Sequence, residues 1–205
     1  MPSTPFDVIV FDFDGTLVCS TAVKRQTFFE VFPPQCAPAV EAVLAHDPDG
    51  SRHRAIPEMI DEALRMQLDV SGLAASDLIA AYGARCDSAV ASAPAMPGAA
   101  AVLRQVSAQV PTYIASVTPE AELRAQLTRR GWLGLVREAF GFPHGKAEVV
   151  ARLIARHAIP ARRLLVVGDG INDRQAADIN GCLFHLVDDS AALSRIPGLG
   201  SGTHA

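Results

Sequence analysis

Four short apolar runs, at residues 8–11, 113–115, 164–167 and 183–187 of the 205, restrict the fold more than any other feature of this sequence. They are rich in branched residues and do not alternate with polar ones. A strand that is apolar throughout is buried on both faces, and helical patterns lie between the later runs. Strands that alternate with helices make a parallel sheet covered on both sides. The expected fold class is therefore α/β, with a doubly wound, Rossmann-like parallel sheet as its core.

The gap between the first and second runs is too long for a simple crossover. Residues 20–93 carry helical periodicity in "TAVKRQTFFEVF", "APAVEAVLAH", "IPEMIDEALRMQL" and "SDLIAAYGARCDSAVA", with no convincing strand. They are expected to form an inserted all-helical subdomain, leaving 1–19 and 94–205 as the core. "SAPAMPG", with two prolines and a glycine, marks the return of the chain. The ending "GLGSGTHA" has little to bury and is expected to fray.

Composition narrows the function. A net charge of -4 and a pI near 5.8 offer no basic stripe to nucleic acid. No apolar run approaches the roughly 20 residues that cross a bilayer, and "MPSTPFDVIV" lacks a basic region ahead of an apolar one. A cytoplasmic protein without membrane or nucleic-acid partners is expected. Cys19, Cys36, Cys86 and Cys182 are far apart and read as buried thiols, and the six histidines form no i, i+4 pair. Phe28, Phe29 and Phe32 suit a helix core better than an interface, so monomer and homodimer both stay open.

Chemistry therefore falls to the residues at the strand ends, where parallel sheets gather ligands. The first strand is expected to end at Asp12, with Asp14 close behind and Gly15 permitting a sharp turn; the plainer alternative makes both aspartates turn residues. The third run ends in "GDGINDRQAAD", which puts Asp169 at the strand terminus and Asp173 in the first turn of a helix. Crowded carboxylates raise one another's pKa unless a cation neutralises them, and a hard, oxygen-seeking ion such as magnesium is the economical one. Asp173 serves equally well as a helix cap. After the second run, Thr118 ahead of Pro119 reads as a helix cap and leaves Ser116 to offer its hydroxyl to a phosphate oxygen. In "GFPHGKAEVVARLIARH" the helix starts near Gly145, so Lys146 opposes the helix dipole and calls for a nearby anion.

Together "DFDGT", "YIAS", "GK" and "GDGIND" resemble the haloacid dehalogenase superfamily of phosphohydrolases, which has an aspartate nucleophile, a serine or threonine, a lysine and an acidic magnesium motif in this order. The helical insertion resembles the mobile cap of the subfamily containing phosphoglycolate phosphatase and β-phosphoglucomutase. Cys19 departs from the pattern, because relatives often carry aspartate there.

The residues suit that chemistry. Asp12 can attack phosphorus, giving an aspartyl-phosphate. Asp14 can protonate the departing alkoxide and then deprotonate the attacking water. Ser116 and Lys146 would hold phosphoryl oxygens, together with the chain at Gly15 and Val117. The resemblance implies a Mg2+ site from Asp12, Asp169 and the backbone carbonyl of Asp14, with Asp173 ligating the ion or positioning its water. It also implies phosphate-ester chemistry over dehalogenation, because dehalogenases lack an acid at the Asp14 position. Phosphonatases use a cap lysine, and the only lysine of the insertion here is Lys24.

The leading expectation is a magnesium-dependent phosphomonoester hydrolase acting on a small phosphorylated metabolite, of phosphoglycolate or sugar phosphate type. A phosphomutase of the β-phosphoglucomutase type is the enzyme alternative. A receiver-like phosphoacceptor module is the non-enzyme one, and the large insertion argues against it. Selectivity is expected from the cap, where "HDPDGSRHR" reads as a polar loop whose Arg52, His53 and Arg54 either grip substrate or form a solvated face. Tyr82 and Arg85 are further candidates on a later cap helix.

Overall fold

The computed structural model describes residues 4–48 and 50–199, which divide into two compact units, one from residues 20–93 and one from residues 4–19 with 94–199. The fraying expected of "GLGSGTHA" falls, from residue 200 on, outside the described residues, as does Asp49 of the polar stretch.

The smaller unit holds four α-helices, α1 (Thr21–Val31), α2 (Ala37–His46), α3 (Arg52–Arg65) and α4 (Ala75–Ser92). Their apolar faces meet in one core containing Phe28, Phe32, Val40, Leu44, Ile56, Met59, Leu78 and Tyr82. Phe28 and Phe32 are therefore core residues of this unit, and Phe29 packs against them in part. Each fully buried side chain of this size contributes roughly 1.5–3 kcal/mol, so the helices are held by packing more than by their intrinsic propensity.

The larger unit is a five-stranded sheet made of β1 (Val8–Phe11), β2 (Thr112–Pro119), β3 (Glu138–Phe142), β4 (Leu164–Gly168) and β5 (Leu183–Leu186). All neighbours are parallel, in the order β3-β2-β1-β4-β5. Four helices accompany it, α5 (Ala99–Ser107), α6 (Glu120–Arg129), α7 (Lys146–His157) and α8 (Ile171–Asn180). Val8 and Val10 of β1 pack with Val149, Val150 and Leu153 of α7 and with Ala176 and Ala177 of α8. Ile9 and Phe11 alternate to the opposite face and are equally buried.

The structure corrects three expectations drawn from the sequence. β3 was not among the four apolar runs, because it is a short edge strand that opens on Glu138 and contains Gly141. β1 ends at Phe11, one residue before Asp12, although the Asp12 amide still donates to the Val167 carbonyl at 2.8 Å. Cys19 is exposed rather than buried, because it follows the turn after β1 instead of lying within a packed element.

Sheet order determines where a ligand can bind. The chain steps from β1 to β2 and β3 on one side and to β4 and β5 on the other, so the direction of winding reverses beside β1. Ligands of doubly wound sheets bind at such a reversal, outside the carboxyl ends of the strands. Asp12 directly follows β1 and Asp169 directly follows β4, and these strands are hydrogen-bonded neighbours.

Candidate active site

Asp12, Asp169 and Asp173 each offer a carboxylate oxygen, and these atoms lie within 4.8 Å of one another. Asp12 and Asp173 are buried, and Asp169 is half-buried. Lys146 reaches the group from the first turn of α7, its Nζ 2.9 Å from Asp12 Oδ1 and 2.7 Å from Asp173 Oδ1. One ammonium thus faces three carboxylates.

The surroundings hold each group in place. The Thr16 hydroxyl, fully buried, donates to Asp169 Oδ1 at 2.9 Å. Asp173 is the third residue of α8 and accepts the Gly170 amide at 3.2 Å, so it caps the helix while pairing with Lys146. Gly168, the last residue of β4, makes room for it, because a Cβ there would overlap the Asp173 side chain. Gly15 adopts φ +82°, a left-handed conformation that glycine takes without strain, and its amide closes a tight turn on the Val18 carbonyl at 2.7 Å.

Electrostatics follow from burial. Desolvation raises the pKa of Asp12, Asp14 adds to the rise, and Lys146 opposes it. Asp169 is pushed up to about 7, first by burial and then by the charge of Asp12. Asp173 is likewise pushed up to about 7 by burial and by Asp12, against Lys146. Burial alone would lower Lys146, but Asp12 and Asp173 outweigh it and keep the ammonium charged. When all three are ionised, the carboxylates carry more negative charge than one lysine offsets.

Asp14 stands apart from this group. Its Oδ2 accepts the Thr118 hydroxyl at 2.7 Å, with the Ser116 hydroxyl at the limit of hydrogen bonding, 3.5 Å away. The Thr118 amide donates to Ser116 Oγ at 3.1 Å. Two expectations change accordingly. Thr118 does not cap α6: β2 runs on through Pro119, which occupies the cap position itself, and the threonine hydroxyl turns to Asp14 instead. Ser116 is not left free, because it takes the Thr118 amide. Val117, half-buried, lies between them in β2.

Two neighbours of the site were not given their structural roles by the sequence reading: Thr16 stood only within "DFDGT" and Thr118 read as a helix cap, whereas each donates to a residue far along the chain, Asp169 and Asp14 respectively. Arg130 stacks over Trp132 at 5.5 Å; burial lowers its pKa, while Asp14 and Cys19 lie close enough to raise it.

In the helical unit, the polar stretch between α2 and α3 is shorter than expected. Arg52, His53 and Arg54 form the first turn of α3, because the Ser51 hydroxyl caps that helix by accepting the His53 amide at 3.4 Å. Arg52 is buried, with its guanidinium 5.6 Å from the Tyr82 ring centroid, and so packs within the unit's own core. Arg54 is exposed and pairs with Asp47 and Glu58. Tyr82 is buried and donates to the Lys24 carbonyl at 3.1 Å; Arg85 donates to the Glu30 carbonyl at 2.6 Å. None of the helices described is long and apolar enough to cross a membrane.

A parallel doubly wound sheet with a buried acidic cluster and a lysine at its switch point places the protein among α/β proteins with a ligand site at the strand ends. The family model for haloacid dehalogenase-like hydrolases matches residues 6–178, and the chain belongs to that family. No curated protein is similar enough in sequence to match. Among solved structures, a protein described as a predicted phosphoglycolate phosphatase from Haemophilus somnus superposes with a TM-score of 0.71 at 19% identity, over 88% of this chain and 84% of that one. CbbY from Rhodobacter sphaeroides, solved in complex with xylulose-(1,5)bisphosphate, gives 0.67 at 20% identity, over 89% and 87%. YfnB from Bacillus subtilis, a HAD-hydrolase solved bound to magnesium, gives 0.64 at 15% identity, over 89% and 88%. At these identities the likeness is one of fold.

Proposed function

We propose that the protein is a magnesium-dependent phosphomonoester hydrolase that works through an aspartyl-phosphate on Asp12, with a small phosphorylated metabolite of phosphoglycolate or sugar phosphate type as substrate. The observation that carries this reading is the pairing of Asp12 with Lys146 inside a buried carboxylate group, two residues from a second aspartate held outside it.

The donor set suits a divalent ion. Three ionised carboxylates would exceed the charge of one ammonium, the donors are all hard oxygens, and Asp169 and Asp173, raised first by burial and then by the charge of Asp12, would be favoured in their ionised form by a cation. Asp12 and Asp169, with the Asp14 backbone carbonyl and Asp173, would hold Mg2+, which when bound would draw charge from a phosphoryl oxygen and favour ionised carboxylates.

Asp12 attacks phosphorus with a carboxylate oxygen as the ester P–O bond breaks, and Asp14 gives its proton to the departing alkoxide. Asp14 then takes a proton from water as the water oxygen attacks phosphorus. The P–O bond to Asp12 breaks, and inorganic phosphate and the free carboxylate are restored. Lys146 and Ser116, with the backbone at Gly15 and Val117, hold phosphoryl oxygens through both displacements. Discrimination among esters is assigned to the helical unit, with Arg54 and His53 as its candidates and the buried Arg52 as their support.

The test is phosphate release from a panel of phosphorylated metabolites, with magnesium or with chelator, by wild type and Asp12→Asn. Magnesium-dependent release that Asp12→Asn abolishes supports the reading, and absence of release from every member by folded, magnesium-loaded protein overturns it. A requirement for a bisphosphate activator would assign a phosphomutase instead.

A further inference from the structure

We propose that Thr118 is a positioning residue for Asp14, and that its hydroxyl holds the acid/base carboxylate at the end of β2, outside the ion-binding group. The inference rests on the proposed hydrolase function for its catalytic meaning and on geometry alone for its structural content.

Asp14 lies in a turn, after the last hydrogen bond of the β1 ladder, so the strand does not fix its side chain. An aspartate there can point back toward Asp12, Asp169 and Asp173 or outward over the end of β2. The Thr118 hydroxyl decides between these by donating to Asp14 Oδ2 at 2.7 Å. This is the ordinary length of a well-formed hydroxyl hydrogen bond. The donor is itself well anchored. Thr118 belongs to a strand, its branched side chain has few rotamers, and its amide is tied to the buried Ser116 hydroxyl at 3.1 Å. The Ser116 and Thr118 hydroxyls both approach Asp14 Oδ2, and the Thr118 amide bond to Ser116 Oγ fixes the residue proposed to hold a phosphoryl oxygen relative to the residue that aims the acid.

The same placement explains why Pro119 rather than Thr118 precedes α6. Were Thr118 the cap, its hydroxyl oxygen would sit over the α6 amides that it accepts from, rather than where it reaches Asp14. Continuing β2 through Pro119 moves the cap to a residue with no side-chain acceptor and leaves the hydroxyl where it donates to Asp14. Gly141 of β3 permits the extension, because a Cβ there would overlap the Thr118 carbonyl and the Glu120 backbone.

A protonating residue matters most when the leaving group is poor. An alkoxide needs the proton, whereas a nitrophenolate departs without it. The test therefore compares Thr118→Val, which keeps the branched shape and strand preference but removes the hydroxyl, with Thr118→Ser, which keeps the hydroxyl. The kinetic substrates are an alkyl phosphate from the panel and p-nitrophenyl phosphate, and a crystal structure of Thr118→Val is determined alongside. Expected are a loss of roughly ten- to a hundred-fold in kcat on the alkyl ester with KM little changed, a much smaller loss on the aryl ester, recovery in Thr118→Ser, and an Asp14 carboxylate displaced from the end of β2. Equal losses on both esters, or a change in KM alone, would overturn the catalytic part. An Asp14 carboxylate unmoved in the Thr118→Val crystal would overturn the proposal whatever the kinetics. Inactive wild type would instead sink the hydrolase reading, and the crystal structure would still decide whether Thr118 positions Asp14.

Discussion

Lys146 Nζ lies 2.9 Å from Asp12 Oδ1, with both side chains nearly buried. The two residues are brought together from the ends of different elements, β1 and the first turn of α7, and the contact places a fixed positive charge against the carboxylate proposed as the nucleophile. A lysine in the first helical turn opposes the helix dipole, and here Asp12 and Asp173 offset that cost.

Removing the lysine is expected to unbalance the acidic group. Lys146→Ala leaves Asp12 and Asp173 buried without their counter-charge, and breaking a buried pair by deleting one partner costs about 3–5 kcal/mol. The urea midpoint measured in chelator should fall accordingly. Adding magnesium should recover part of the loss, because a second cation then serves the same carboxylates. An unchanged midpoint in chelator would show that the lysine is not their counter-charge.

Stability should depend on pH with an unusual sign when magnesium is withheld. Asp169 and Asp173 titrate near 7 in the folded protein, against an ordinary value near 4 when unfolded. Between pH ~4 and ~7 the unfolded chain has released these protons while the folded chain keeps them, so this pair lowers stability as pH rises through that window. Asp7, whose carboxyl Arg163 holds below its ordinary value, acts in the opposite sense and loses its contribution below pH ~4. The expected result is a melting temperature in chelator that declines from pH ~5 to ~7 more steeply than in magnesium or in Asp169→Asn. Parallel profiles in chelator and magnesium would show that the carboxylates are not the source.

The sequence reading reached the sheet through its buried strands and the site through their ends. Residues 8–11 coincide with β1, whereas the strand order, and with it the switch point, is visible only in the structure. β3 was illegible because it is short, opens on Glu138 and carries no branched residue, and Gly141 reads as a turn although it is a close backbone approach. Thr118 misled for a different reason. A threonine before proline satisfies the local helix-start pattern, and only Asp14, 104 residues away in sequence, competes for its hydroxyl. Arg52 shows the same limit: charge places it at a surface, whereas the Tyr82 ring from another helix covers it.

Gly168 is expected to be a site residue without contributing an atom to the chemistry. A methyl group at this position would overlap the Asp173 carboxylate, which is held on its other sides by Lys146 and the Gly170 amide. Gly168→Ala should therefore displace Asp173 and weaken magnesium binding about tenfold or more, read by calorimetric titration. Gly134→Ala is the matched control, because a Cβ there meets nothing within 4 Å. Equal magnesium affinity in both variants would show that the space at Gly168 is not what sets the position of Asp173.

Arg52 and Arg54 should separate packing from recognition within the helical unit. Arg52 is buried with its guanidinium over the Tyr82 ring and Gly83 close beneath it, so Arg52→Ala removes both an aliphatic stem and a cation–π contact. A loss of about 1–3 kcal/mol in chemical denaturation is expected, with KM for the best substrate near the wild-type value. Arg54 is exposed, and its pairs with Asp47 and Glu58 lie at the surface, where such contacts are worth roughly 0–1 kcal/mol. Arg54→Ala should leave the denaturation midpoint almost unmoved, and a rise in its KM would identify it as the residue that meets the substrate. The reverse pattern, a stable Arg52→Ala with a raised KM, would return Arg52 to the substrate and require the Tyr82 contact to open in solution.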